Sequence, residues 1–189
     1  MNYLLLLISI CGALRASAQV DTIMPRDDSG KIHFSQIDTI SGTSKSQLYS
    51  MASVFLSGYW RSAKDVTQLA DREAGILITS GYTDATNKVM GFQHLLKVYY
   101  SLRISCRDGR YRAEIYDISV QEYPNRDLPN PIRSPAELIF TNKRYYKSPN
   151  KPRPSFVELR NSIESIASRT FQELSESMSK NVISGQEEW

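Results

Sequence analysis

The stretch Gln93 to Gln121, folded back through Arg107-Asp108-Gly109-Arg110, constrains this chain more than any other. Asp-Gly between two alternating apolar runs is the strongest short-range hairpin signal. A two-residue type I′ turn needs positive φ at both central positions, and glycine takes it without strain. The turn sets the register. With Arg107 opposite Arg110, Cys106 pairs with Tyr111, Ile104 with Ala113 and Leu102 with Ile115 on one face. The other face then pairs Ser105 with Arg112, Arg103 with Glu114, Ser101 with Tyr116 and Tyr99 with Ile118. The first set is core. The second is half wet, with opposite charges at Arg103 and Glu114, yet Tyr99, Tyr116, Ile118, Leu95 and Val120 give it more apolar surface than a solvated face requires.

Around the hairpin the pattern is strand, helix, four strands, helix. Lys31 to Ile40 alternates around Ile32 and Phe34 and shifts phase at Ile37, as a strand with a bulge does. Ser44 to Gln47 has the form of a capping box, and Leu48, Met51, Ala52, Phe55 and Tyr59 follow at helical spacing, which predicts a helix from Lys45 to Trp60. A weaker strand at Asp65 to Ala70 turns through Asp71 to Gly75 into a third at Ile76 to Tyr82, and a polar link, Thr83 to Gly91, leads to the hairpin. Residues 122–154 hold seven of the eight prolines and read as one long surface loop, pinned by the apolar run Leu138 to Phe140. Ser155-Phe156-Val157-Glu158 is a second capping box, after which Phe156, Leu159, Ile163, Ile166, Thr170, Leu174 and Met178 trace one face of a long helix. Sequential strands pair with their neighbours, and a sheet with one apolar face under two helices buries this pattern economically. The class is α+β.

The chain opens on a short apolar run, Tyr3 to Ile10, followed by Ala16-Ser17-Ala18, the form of a signal peptide cleaved after Ala18. That run is far shorter than the roughly 20 residues of a spanning helix, so no transmembrane segment is expected. The mature chain of about 170 residues fits one domain, with residues 19–30 as a flexible leader, 31–183 as the folded unit and 184–189 as a frayed tail. Cleavage leaves a single cysteine, Cys106, whose parity with Leu102 and Ile104 makes it a core side chain. A formal net charge of +3 with 23% charged residues marks no nucleic-acid or membrane role.

These features together resemble an uncharacterised exported bacterial family, a domain of unknown function with a TBP-like fold. The resemblance rests on the signal segment, the strand and helix around Ile37 to Tyr59, Lys64-Asp65-Val66, the Gly75 turn, and the strand from Tyr99 to Ile104 leading into Asp108-Gly109-Arg110-Tyr111-Arg112. It covers roughly Ile32 to Tyr123. It implies a curved antiparallel sheet, in the order β-α-β-β-β-β-α, with two helices on its convex side and a periplasmic or outer-envelope location. It carries no activity, cofactor or site residue to transfer, and a TBP-like fold does not by itself mean DNA binding.

The catalytic inventory is thin. His33 faces solvent by parity, His94 sits at the inner edge of the sheet, and neither has a partner at metal-ligand spacing, so neither a metal nor a cofactor is expected. Asp71 and Glu73 read as a solvated turn, and there is no nucleophile elbow, phosphate loop or dinucleotide fingerprint. Two surfaces remain for binding. One is the open sheet face at Tyr99, Tyr116 and Ile118; the other is a basic run with Lys143, Arg144, Tyr145, Tyr146 and Lys147, suited to phosphates or acidic glycans. The leading reading is a non-enzymatic module that meets an envelope protein or a second copy through the sheet face. A small-ligand or anionic envelope-glycan binder using the basic loop 141–154 and a hydrolase near His94 or Asp71 are the alternatives.

Overall fold

The computed structural model describes residues 24–60, 67–89, 92–126, 128–143, 146–148 and 151–184. The signal segment, the whole Lys64-Asp65-Val66 motif, Arg144 and Tyr145 lie outside the described residues. The elements run β1 (Phe34–Thr39), α1 (Lys45–Tyr59), β2 (Thr67–Asp71), β3 (Ile76–Val89), β4 (Phe92–Arg107), β5 (Arg110–Glu122), β6 (Ser134–Pro135), α2 (Ala136–Thr141), β7 (Tyr146–Ser148), β8 (Lys151–Pro152) and α3 (Pro154–Ser184). The main sheet is antiparallel with order β1-β5-β4-β3-β2, and β6 continues alongside β5 beyond the end of β1.

Alternation along the three long strands decides which side is core. Leu77 on β3, Val98, Leu102 and Ile104 on β4, and Ala113 and Ile115 on β5 are all buried, together with Leu48, Ala52 and Leu56 of α1. The α3 stripe Phe156, Leu159, Ile163, Ile166, Leu174 and Met178 closes the same core. Each large aliphatic side chain so buried stabilises the fold by about 1.5–3 kcal/mol relative to exposure. One polar cluster is satisfied across the helix–sheet boundary: the Tyr59 hydroxyl shares hydrogen bonds with Tyr100 at 2.7 Å and Thr170 at 2.5 Å, and burial raises the Tyr59 phenol above its ordinary pKa.

The first capping box forms as the spacing predicts, with the Ser44 N–H donating to Gln47 Oε1 at 2.9 Å and the Gln47 N–H to Ser44 Oγ at 3.3 Å. The second does not. Pro154 already occupies the first turn of α3, where its fixed φ suits a helix start. Glu158 instead accepts the Lys88 N–H at 2.7 Å, and Ser162 Oγ donates to the Thr86 carbonyl at 3.3 Å. Those contacts satisfy backbone groups on the outer edge of β3. The strand itself runs through to Val89, across residues expected to form a polar link, because it pairs with β4 as far as Val89–Phe92.

Residues 25–30 are exposed but form a hydrogen-bonded turn, the Gly30 N–H donating to the Asp27 carbonyl and the Asp27 N–H to the Lys31 carbonyl, both at 2.9 Å. Met24 is buried, Arg26 bridges Ile32, and the Ile32 N–H donates to Glu137 Oε1 at 2.8 Å. Residues 122–154 are also more ordered than a plain loop, since Ala136 and Phe140 of α2 enter the core while Leu138 points out. The central turn differs from type I′ as well. Gly109 has φ 72, but Asp108 is not left-handed, and its side chain accepts the Lys45 N–H at 2.7 Å.

Candidate functional site

The helices cover one side of the sheet, and the alternate residues form its open side. On that side β3 presents Ile76, Ile78, Ser80 and Tyr82, β4 presents Lys97, Tyr99, Ser101, Arg103, Ser105 and Arg107, and β5 presents Arg110, Arg112, Glu114 and Tyr116. Ser101 faces Tyr116 as the turn register requires, but Tyr99 faces Ser119 instead of Ile118. The extra residue is Asp117, at φ 51, one of the few side chains that tolerate the left-handed region. Beyond this bulge the parity flips. Ile118 at 2% exposure and Val120 at 6% therefore point into the core, and neither belongs to the open face. Leu95 stays on it, half exposed.

Tyr99 anchors an aromatic cluster at one end. Its ring centroid lies 5.2 Å from that of Tyr82, and Lys97 Nζ stands 4.5 Å from the Tyr82 ring and 4.8 Å from the Tyr123 ring. The Arg133 guanidinium stacks 4.0 Å over Tyr99, and its Nε donates to Ser119 Oγ at 2.5 Å. Gln121 accepts from the Tyr99 hydroxyl at 2.9 Å and donates to the Pro131 carbonyl at 2.8 Å. Residues 131–133 thus cross one corner of the face. The Tyr123 hydroxyl donates to Asp84 at 2.6 Å, and that hydrogen bond, helped by desolvation, pushes its pKa up to about 12. Tyr116, in the middle of the face, is raised by burial first and by the Asp117 carboxylate second.

The opposite end is cationic. A cleft of about 290 Å³ at the hairpin tip is lined by Arg103, Arg107, Arg110 and Arg112 with Ile37, Ile76 and Ser105. Glu114 is the carboxylate beside it, 3.8 Å from Arg103 Nε, 3.5 Å from Arg112 Nε and 3.5 Å from His33 Nε2. His33 therefore points to the open side, although half-buried against Glu114.

The basic loop is divided by its own fold. Tyr146 donates to the Phe140 carbonyl at 3.1 Å and packs 5.1 Å from Phe156, so it anchors the β7–β8 hairpin. Lys143 and Lys147 are exposed. His94 is exposed at the end of β4, opposite Asn87, and Asp71 accepts the Ala74 N–H within its turn at 2.8 Å. Among the described residues no three His, Cys, Asp or Glu side chains gather into a metal site. Burial raises the Cys106 thiol to about 11, far from a nucleophile's range. What the open face offers is rings, guanidinium groups and hydroxyls.

Several of these residues were readable from the register: Arg103, Arg107, Arg110 and Arg112 all share the outer parity of the hairpin. Tyr82 and Lys97 become visible once β3 is known to extend along β4. Arg133 has no such signal, because it arrives from a segment without regular pattern.

The matched span coincides with the strands that build this face. Residues 34–121 match the model of a domain of unknown function (DUF4468) with TBP-like fold. A DUF4468 family protein from Bacteroides ovatus is similar in structure, with TM-score 0.66, 17% identity, and coverage of 82% of this chain and 90% of that one. A TBP-like protein from Parabacteroides distasonis gives TM-score 0.63 at 19% identity, covering 82% and 96%. At these identities the likeness establishes the shared fold. No curated protein matches the chain. The DUF4468 span runs from β1 to the end of β5, so the arginine cleft and Tyr82, Lys97, Tyr99 and Tyr116 all lie within it, whereas Tyr123, Arg133 and the basic hairpin lie outside.

Proposed function

We propose that this protein is an exported, non-enzymatic binding module that receives a protein partner of the cell envelope on the open face of its sheet. One observation carries the reading: on the side away from the helices, Tyr82, Tyr99 and Tyr123 are gathered with Lys97 and Arg133 into a single stacked cluster. Tyrosine and arginine dominate the energetics of protein interfaces because they bring large, rigid contact area with a polar tip. A cluster held by cation–π contacts is already arranged, so binding costs little further ordering. Export is supported by the signal-like residues 1–18. No helix among the described residues is long and apolar enough to cross a membrane.

The basic hairpin is the weaker platform, since Tyr146 is engaged with Phe140 and Phe156. The test is photocrosslinking in the native envelope with the reactive side chain at Tyr82, which borders the cluster without lying under Arg133, and separately at Tyr116. A discrete heteromeric adduct supports the reading and identifies the partner. An adduct of twice the chain mass means a second copy occupies the face. Absence of any adduct at both positions, with the protein folded and abundant, would remove the proposal.

A further inference from the structure

The far end of the same face has a chemistry the aromatic cluster does not use. Arg107 and Arg110 are direct cross-strand partners, and like charges so placed destabilise a strand pair. Arg112 and Arg103 stand behind them along the same face, and no carboxylate lines the cleft they enclose. Glu114 lies at its margin, already shared between Arg103, Arg112 and His33. Arg107 and Arg110 make no ion pair with any described residue, and both are exposed. Beneath the lining, Ser105 Oγ is buried without a hydrogen-bond partner among the described groups, and Arg103 Nε, also buried, has only the Glu114 carboxylate 3.8 Å away. Buried polar atoms of this kind cost stability unless something satisfies them. Ile37, 63% exposed, and the half-buried Ile76 supply apolar walls on the two sides.

We propose that the cleft at the hairpin tip is a binding site for an oxyanion group carried on an apolar ligand. The phosphoryl, sulfate or carboxylate oxygens accept from the guanidinium groups of Arg107, Arg110 and Arg112. The apolar part lies against Ile37 and Ile76. Planar guanidinium forks match such anions bidentately, and two unpaired arginines beside a third make the site attractive to a charge that a lone surface arginine would not hold. The inference deepens the open-face reading by naming what one end of that face recognises, and it stands or falls on different residues.

The experiment is a titration followed by backbone and arginine side-chain NMR, using phenyl phosphate, benzoate and inorganic phosphate as probes. Phenyl phosphate is expected to saturate with a Kd on the order of 1 mM or tighter. The shifts should centre on Ile37, Ile76, Ser105 and Arg112. Inorganic phosphate, lacking the apolar part, should bind at least roughly tenfold more weakly. Raising the salt should weaken all three probes. Arg107→Gln with Arg110→Gln, two exposed substitutions that leave the Glu114 contacts intact, should abolish saturation. An equal response to benzoate assigns the site to carboxylates as well, and a response to phenyl phosphate alone assigns it to phosphoryl or sulfate groups; both support the proposal. Linear, unsaturated shifts, shifts centred on Lys143, Lys147 or Lys151, or binding unchanged in the double variant each overturn it. Crosslinking from Tyr82 in that variant separates the two readings. A partner retained there while phenyl phosphate binding is lost supports both, and saturable titration of the parent protein without any crosslink from Tyr82 in the parent leaves the cleft and removes the protein partner.

Discussion

Trp60 fills the space that a side chain at residue 81 would occupy. A Cβ built on Gly81 would stand 2.4 Å from Trp60 Cε3 and 2.6 Å from Cζ3, so the indole lies directly on the β3 backbone. Its Nε1 donates to Thr79 Oγ1 at 3.0 Å and its ring packs 5.2 Å from Tyr100, which leaves it little room to retreat. Gly81→Ala should therefore destabilise the domain by about 1–3 kcal/mol, the usual range for overpacking. Urea denaturation should show a lower midpoint at unchanged slope. Combined with Trp60→Leu, the same substitution should cost less than the two losses added together, because the ring it collides with is gone. Strict additivity would mean the two positions do not compete for space.

Asp108 ties the hairpin tip to the first helix. Its carboxylate accepts the Lys45 N–H, while the Gly109 N–H donates to the Thr43 carbonyl at 2.8 Å and the Ile40 N–H to the Gly109 carbonyl at 2.8 Å. The first turn of α1 has no acidic residue of its own, so the carboxylate facing its positive end comes from another element. Asp108→Ala should lower stability by about 1 kcal/mol, the scale of a lost helix cap, and Asp108→Asn should recover part of it. Thermal unfolding of the three proteins decides this, and equal Tm values would show that Ser44 alone sustains the helix start.

Cys106 should be chemically silent in the folded protein. It is 2% exposed, and burial raises its pKa from 9.0 to about 11. Because the folded value lies above the unfolded one, the stability linked to this group is complete below pH 9 and declines between pH 9 and about 11, where the unfolded thiol ionises while the folded one stays protonated. Native protein at pH 8 should react with a thiol reagent at the rate of global opening, and denatured protein at once. Fast stoichiometric labelling of the native state would place the thiol at the surface.

How far the fold was readable from the residues follows from which signals are local. Helix α1, with its Ser44–Gln47 box, and the α3 stripe from Phe156 to Met178 rest on spacing within one element, and the structure has them. The hairpin register was likewise set by one turn, from Arg107–Arg110 as far as Ser101–Tyr116. What parity could not supply were the long-range contacts. Pairing with β4 carries β3 across polar residues that have no strand pattern of their own, with Glu158 and Ser162 of α3 satisfying its other edge, and Met24 and Arg133 are ordered by what they meet. Of the candidate site, Tyr99 and Tyr116 lie on the open face, while Ile118 was lost to a bulge whose residue is an aspartate rather than the glycine that would have announced it.

That bulge makes a prediction in which removing a residue is milder than moving one. With Asp117 deleted, a regular ladder from Ser101–Tyr116 would set Tyr100 opposite Ile118 and Tyr99 opposite Ser119, and the second of these is the pairing the bulged strand already has. Ile118 and Val120 would keep their places in the core. The losses are the exposed Lys31–Asp117 contact at 3.1 Å, of little value in solvent, and the local bend. Deletion of Asp117 should thus cost about 2 kcal/mol or less, set by the bend and offset by removal of a left-handed non-glycine residue. Deletion of Ser119 is different, because the bulge remains and every later side chain changes face. Val120 would leave the core, forfeiting about 1.5–3 kcal/mol, and Gln121 would enter it without a partner at a similar further cost. Urea denaturation of the two deletion variants should therefore separate their midpoints clearly, with the Asp117 variant the closer to the parent. Equal losses would mean that the bend itself, and not the parity it restores, is what the fold requires at this point.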